Sequence, residues 1–275
     1  MARQRTRNVY WRLIYRAAAS RPSKARAANS LWALALFVGI LTVWELSVRL
    51  LHIPDIILPG PADIAEYLVR RQKLFFTHLL PTFLQTVWGF VLAVIGGVLL
   101  AILVSLTEFG RKAVMPLLVV AQIVPKIAIA PLLMLWFGLG DLSRVLIAFL
   151  VAFFPMVIST ASGLTSVSEE VALMGQAFAR SRWDVFLKIQ FPHALPYILD
   201  GMKVSITLAI TGVIVAEFVS SQSGLGYLIM FANGRLDTTM MMAAIAVLSA
   251  MGLLLYGLIA IFARVIVYWQ SPREI

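Results

Sequence analysis

Long apolar runs alternate with short polar, turn-forming segments along most of this chain. A run needs about 20 mostly apolar residues to cross a bilayer. Six stretches qualify: residues 31–51, 82–106, 113–137, 142–164, 196–219 and 239–269. Hydrocarbon offers no partner for backbone N–H and C=O groups, so each is expected to be helical. The fifth is interrupted by Asp200, Lys203 and Glu217. Between the first and second runs, Pro59-Gly60-Pro61 signals a turn. Residues 63–76 follow, with Ile64, Leu68 and Phe75 set among charges, and predict a short amphipathic helix lying at the interface.

Composition strengthens the membrane reading. The chain is 61% hydrophobic and 13% charged, against about 45–50% and about 25% in soluble domains. Cysteine is absent, which excludes disulfides, thiolate metal sites and cysteine nucleophiles. The net charge of +10 does not point to nucleic acid, because eight of the 23 Lys and Arg residues fall in the first 26 positions, before any apolar run. Basic residues beside a span are topology and headgroup signals. The first run lacks a small-residue cleavage site and reads as a span that stays. Six spans put both termini on one side. With the N-terminus cytoplasmic, residues 1–30, 107–112, 165–195 and the C-terminal tail face inward and carry most of the basic residues between spans. The expected organisation is a basic cytoplasmic segment over residues 1–30 and one membrane domain over 31–275.

The inward segment around residues 165–195 is the most distinctive part. Ser166-Val167-Ser168-Glu169 has capping-box spacing and predicts a helix start. Apolar positions Met174, Phe178, Trp183, Phe186 and Ile189 then recur among polar ones at helical spacing. Pro192 and Pro196 are expected to stop that helix and redirect the chain into the fifth span. Aromatic residues and arginine are typical interface anchors. On the residues alone, this element either docks a partner or packs against the inner ends of its own spans.

Part of this segment, SRWDVFLKIQFPHALPYILDG, resembles the cytoplasmic EAA loop of permease subunits from bacterial ATP-binding-cassette importers. That loop reads E-A-A, three residues, G, nine residues, I-x-L-P. With its proline on Pro192, the isoleucine falls on Ile189, the glycine on Ala179 and the E-A-A on Leu173-Met174-Gly175, so the first half departs from the pattern. The runs HLLPTFLQTVWGFVLA, PLLVVAQIVPKIAIAPLLMLWFGLGDLSRV, FFPMVISTASG and VIVAEFVSSQSGLGYLI are also similar to this family, and the likeness covers nearly all the chain after about residue 30. The resemblance implies an all-α integral membrane protein with six transmembrane helices in the type I importer (MetI-like) permease bundle. It implies a homodimer, cytoplasmic ATPase subunits that use ATP and Mg, and an extracytoplasmic solute-binding protein. The permease itself would bind no cofactor or metal. Residues 173–190 would form the coupling element, with Gly175, Phe178, Ala179, Arg180, Arg182, Trp183, Ile189 and Pro192 at or beside the ATPase. For Trp183, packing against its own chain stays open. The branch most resembled carries nitrate, sulfonates and taurine, with relatives for pyrimidine or flavin vitamin precursors. A small anion is therefore the first expectation for cargo, and a heterocycle the second.

The chain contains no G-x-x-x-x-G-K-[ST], so it has no P-loop to hold ATP. H-E-x-x-H and G-x-S-x-G are absent as well, which leaves no recognisable intramembrane enzyme site. Ionisable residues inside spans are costly and face protein or water. Lys126 lies between Pro125 and Pro131, which are expected to kink the third span. With Gln122 it either lines a solute path or bonds carbonyls freed by the kink. Glu217 either braces the following SSQSGLGYLI turn or meets solute. The alternative function is an ion-coupled secondary transporter in which Glu217 and Lys126 handle the coupling ion; repeats between the halves, its usual mark, are not seen. A structural membrane subunit with no solute path is the remaining possibility.

Overall fold

The computed structural model describes residues 23–167, 171, 181–219 and 222–267. The chain divides into two compact units, residues 1–65 and 66–275. The first contains α1 (Ser23–Leu50) and the beginning of α2 (Pro61–Arg70). Proline opens α2, where a missing N–H costs nothing. Asp63 accepts the Gly60 N–H at 3.2 Å, half of a capping box. Glu45 pairs with Arg49 and accepts the Ala62 N–H at 3.0 Å, tying the loop back to the end of α1.

The second unit continues with α3 (Gln72–Leu106), a π turn (Gly110–Val114), α4 (Met115–Ile123), a 3-10 turn (Lys126–Ile129), α5 (Ala130–Phe137) and α6 (Asp141–Thr165). Next come α7 (Arg182–Val185), a second π turn (Phe186–Gln190), α8 (Phe191–Val219), α9 (Leu225–Gly234) and α10 (Thr238–Ile266). Among the described residues there is no strand. Residues 72–76, expected in the interfacial helix, belong instead to α3. The amphipathic pattern and the apolar run are separated only by a break at Arg71, and Pro81 is carried inside α3.

The long helices pack through small residues, as membrane helices do. A Cβ on Gly89 would stand 2.5 Å from the Ala148 Cβ, and one on Gly97 would stand 2.9 Å from the Met156 Cβ. Ala101 packs with Val157 and Ala161. Residue numbers rise together along these contacts, so α3 and α6 run parallel. On α8, Gly212 meets Ala148, Gly201 meets Ser159, and Tyr197 meets Gly163, so α8 is antiparallel to α6. Two parallel spans require the chain between them to cross back. The only helices available for that are α4 and α5, which meet at a bend of 78°. The third span is therefore a broken one, which brings the number of candidate crossings to six. Leucines such as Leu253 and Leu258 on α10 are exposed, the apolar kind of surface that hydrocarbon accommodates.

The prolines behave differently from expectation. Pro192 and Pro196 do not stop a helix; both lie inside α8, which continues from α7 through the second π turn. The physical reason is visible in the turn. The Phe191 N–H bonds to Phe186 O, five residues back, and this wider loop relieves the clash that Pro192 would make with a regular turn. The first π turn does the same before Pro116, with the Met115 N–H on Gly110 O. Ser166 follows the last turn of α6, where its hydroxyl donates to Gly163 O at 2.9 Å. The helix expected over residues 168–180 falls almost wholly outside the described residues.

Candidate functional site

At the end of the bundle where α6 finishes and α8 begins, Phe186 is buried among Met156, Leu164, Ala194 and Ile198. It fixes the second π turn to α6 and α8. Trp183 stands edge-on to Phe186, with centroids 5.7 Å apart, yet remains 62% exposed. A large apolar ring is thus held out from the bundle on a buried pedestal. Ile189 and Pro192 line an open groove of about 500 Å³ with Ser166, Lys188 and His193. Lys188 pairs with Asp184 at 2.8 Å. Gly175, Phe178, Ala179 and Arg180 lie outside the described residues, as does the Arg182 side chain.

At the break in the third span, the Lys126 ammonium donates to Gln122 O at 2.6 Å. A continuous helix would supply the backbone N–H of residue 126 to that carbonyl, so the side chain replaces the lost bond. The ammonium also sits 4.6 Å from the centre of the Phe154 ring, a cation–π arrangement. Gln122 and Lys126 are therefore brought together through the Gln122 carbonyl, while the Gln122 side chain is exposed.

Glu217 is far from open: it is 1% exposed. Thr82 donates to its Oε1 at 2.7 Å, and the Gly226 N–H donates to Oε2 at 2.7 Å. The Leu225 N–H donates to Thr82 Oγ1 at 2.8 Å, and the Gly224 N–H donates to His78 Nδ1 at 3.1 Å. The His78 ring stacks on Tyr227, with centroids 5.6 Å apart. These bonds join α3, α8 and the start of α9. Gly224 has φ 109°, and a Cβ there would collide with the Glu217 carboxyl, so this turn needs glycine. Nearby, the Arg144 guanidinium is buried, pairs with Asp141 at 3.0 Å and donates to Leu139 O at 3.1 Å. The Gln85 amide also donates to Asp141, at 2.9 Å. An open cleft of about 650 Å³ lies beside Arg144, Glu217, Gln222, Ser223 and Tyr227.

Sequence reasoning overlooked two groups. Arg144 lies at the start of the fourth apolar run, and nothing in the pattern around it marks it as a residue that becomes buried. Asp200 and Lys203 were read as blemishes in the fifth span. They form an ion pair of 2.8 Å on the open side of α8. Their spacing of three residues on a helix was the signal available. Among the described residues, no cluster of side chains suits a metal ion.

Residues 93–275 match the family described as binding-protein-dependent transport system inner membrane component. The riboflavin transport system permease protein RibX of Chloroflexus aurantiacus is 35% identical over 234 residues, covering 84% of this chain and 87% of the relative. The formylaminopyrimidine transport permease protein ThiX of Halalkalibacterium halodurans is 31% identical, covering 90% and 99%. In three dimensions the chain is similar to the inward-facing MetNI methionine transporter, with a TM-score of 0.59 at 14% identity over 72% of this chain and 98% of that one.

Proposed function

We propose, from the premise that this chain belongs to the binding-protein-dependent transport system inner membrane components, that it is the pathway-forming subunit of an ATP-driven importer. Two copies enclose a route for a small solute that a binding protein delivers from outside. Cytoplasmic ATPase subunits supply the energy, since the chain has no P-loop of its own. The termini and the segment around Trp183 face the cytoplasm of a bacterial cell. The observation that carries the reading is Trp183. It is exposed beyond the inner end of the bundle and seated on buried Phe186, so force applied to it passes directly into α6 and α8.

The test is reconstitution with the ATPase. Trp183→Ala removes the exposed ring while leaving Phe186 in place. ATP-driven uptake should fall by about tenfold or more, the loss typical of an interface anchor, with the melting temperature unchanged. Full uptake by the variant, or uptake without any ATPase, would overturn the proposal.

For the solute, the two relatives named for riboflavin and formylaminopyrimidine support a polar heterocycle. A small anion is the second reading, favoured by the Lys126 ammonium, which has no carboxylate partner among the described residues. The ligand held by the copurifying binding protein decides between them.

A further inference from the structure

One side of α8 is open along most of its length. His193, Tyr197, Asp200, Val204, Thr207 and Thr211 are all exposed, while Gly201, Ser205, Ala209, Gly212 and Ala216 on the other side are buried. The exposed positions are spaced four, three, four, three and four residues apart, which aligns them in one seam. All but Val204 are polar. A lipid-facing seam would be apolar, as the open side of α10 is.

The charges make the argument firmer. Asp200 and Lys203 pair at 2.8 Å, with the Asp200 side chain 71% exposed and the Lys203 side chain 27% exposed. Gly201 packs on Ser159, six residues before the end of α6 at Thr165, which places the pair about 9 Å inside that end at 1.5 Å per residue. Charges at such a depth face protein or water. Hydroxyls continue the polar surface. Thr207 donates to Lys203 O and Thr211 to Thr207 O, each at 3.1 Å, which leaves both oxygens able to accept from a passing group. On α6, Ser159 donates to Tyr197 O at 2.7 Å, and Ser166 bonds with His193 at 3.1 Å beside the inner part of the seam.

We propose that this seam is a wall of the water-filled route, and that Asp200, Thr207 and Thr211 meet the solute as it passes. The inference rests on the permease reading above and adds the residues and the solute class. The pair's charges cancel, and Tyr197, Thr207 and Thr211 add hydroxyls, a surface matched to an uncharged or zwitterionic hydrogen-bonding solute rather than to a free anion.

The cysteine-free sequence permits a direct test. Thr207→Cys and Thr211→Cys are placed singly in the full-length chain, with Leu253→Cys and Leu258→Cys on α10 as lipid-facing controls. Membrane vesicles are treated with membrane-impermeant methanethiosulfonates, one anionic and one cationic, which react only with hydrated thiolate. Seam cysteines should react at least about tenfold faster than the controls, because thiols in hydrocarbon are shielded from both water and reagent. Equal rates would overturn the wall. So would slow labelling with ready disulfide formation between two Thr207→Cys copies, which would make the seam a contact between subunits. For the solute class, the two reagents should react within about threefold of each other after correction against a free thiol. An anionic preference above about tenfold, the range that a focused field produces, would overturn that class. Labelling does not depend on ATP. A wet seam in a protein that transports without an ATPase would therefore sink the proposed function alone, and a dry seam in an ATP-driven importer would sink only this inference.

Discussion

Glu217 shows how one side chain can be read for two purposes and how geometry separates them. Its carboxylate is spent on Thr82 and Gly226, and Thr82 is spent in turn on Leu225. Glu217→Ala strands the buried Gly226 N–H and should destabilise the protein by about 2–4 kcal/mol, since buried donors are costly to leave unpaired. Glu217→Gln should stay within about 1 kcal/mol of wild type. Its oxygen can take the Gly226 N–H while its amide donates to Thr82, whose own proton then turns to His78 O at 3.3 Å. Thermal unfolding in detergent measures both. ATP-driven uptake by Glu217→Gln should also persist; if uptake vanished in a stable variant, the carboxylate would be carrying a proton and the ion-coupled reading would return.

At the scale of elements, the two π turns have a common cause. Each ends two residues before a proline, Pro116 or Pro192, and each lets a helix pass a residue that should break it. The second turn also sets the direction in which Trp183 points. Pro192→Ala removes the clash and lets the turn tighten to an ordinary α turn, which rotates everything on its N-terminal side by about 100°, one residue's worth of helix. Thermal stability should hold or rise. ATP consumed per solute imported should increase severalfold, because the ring no longer meets its partner squarely. A normal stoichiometry in that variant would show that the orientation of Trp183 is not what couples the subunits. In the third span, Lys126 supplies the bond that the break takes from Gln122, so a charged side chain here completes the backbone structure.

For the whole molecule, the parallel packing of α3 and α6 makes the number of crossings a geometric result. It fixes the sides as well: the loop containing Asp184 and the one containing Asn233 lie on opposite faces of the membrane. With Asp184→Cys and Asn233→Cys, an impermeant maleimide should label only the second in intact cells and the first in inside-out vesicles. The reverse pattern would place the Trp183 segment outside and remove any ATPase from its reach. Much of this architecture was legible in the residues. Run lengths located the spans to within a few residues at most ends, Pro125 announced the kink, and the glycines at 224 and 226 announced the turn before α9. Less legible were the ends that proline governs. A π turn that accommodates proline has no separate sequence mark.

What the sequence determined by itself is residence in lipid and the count of crossings. Lipid gives backbone groups no outside partner, so hydropathy and basic residues translate almost directly into location. Tertiary structure alone decided that Thr82 and Glu217, 135 residues apart, would meet, that α3 would lie parallel to α6, and that the polar side of α8 would be left open. A helix that is apolar nearly all round carries little information about which side faces a neighbour. That choice is made by small residues allowing close approach and by buried polar groups that must find one another.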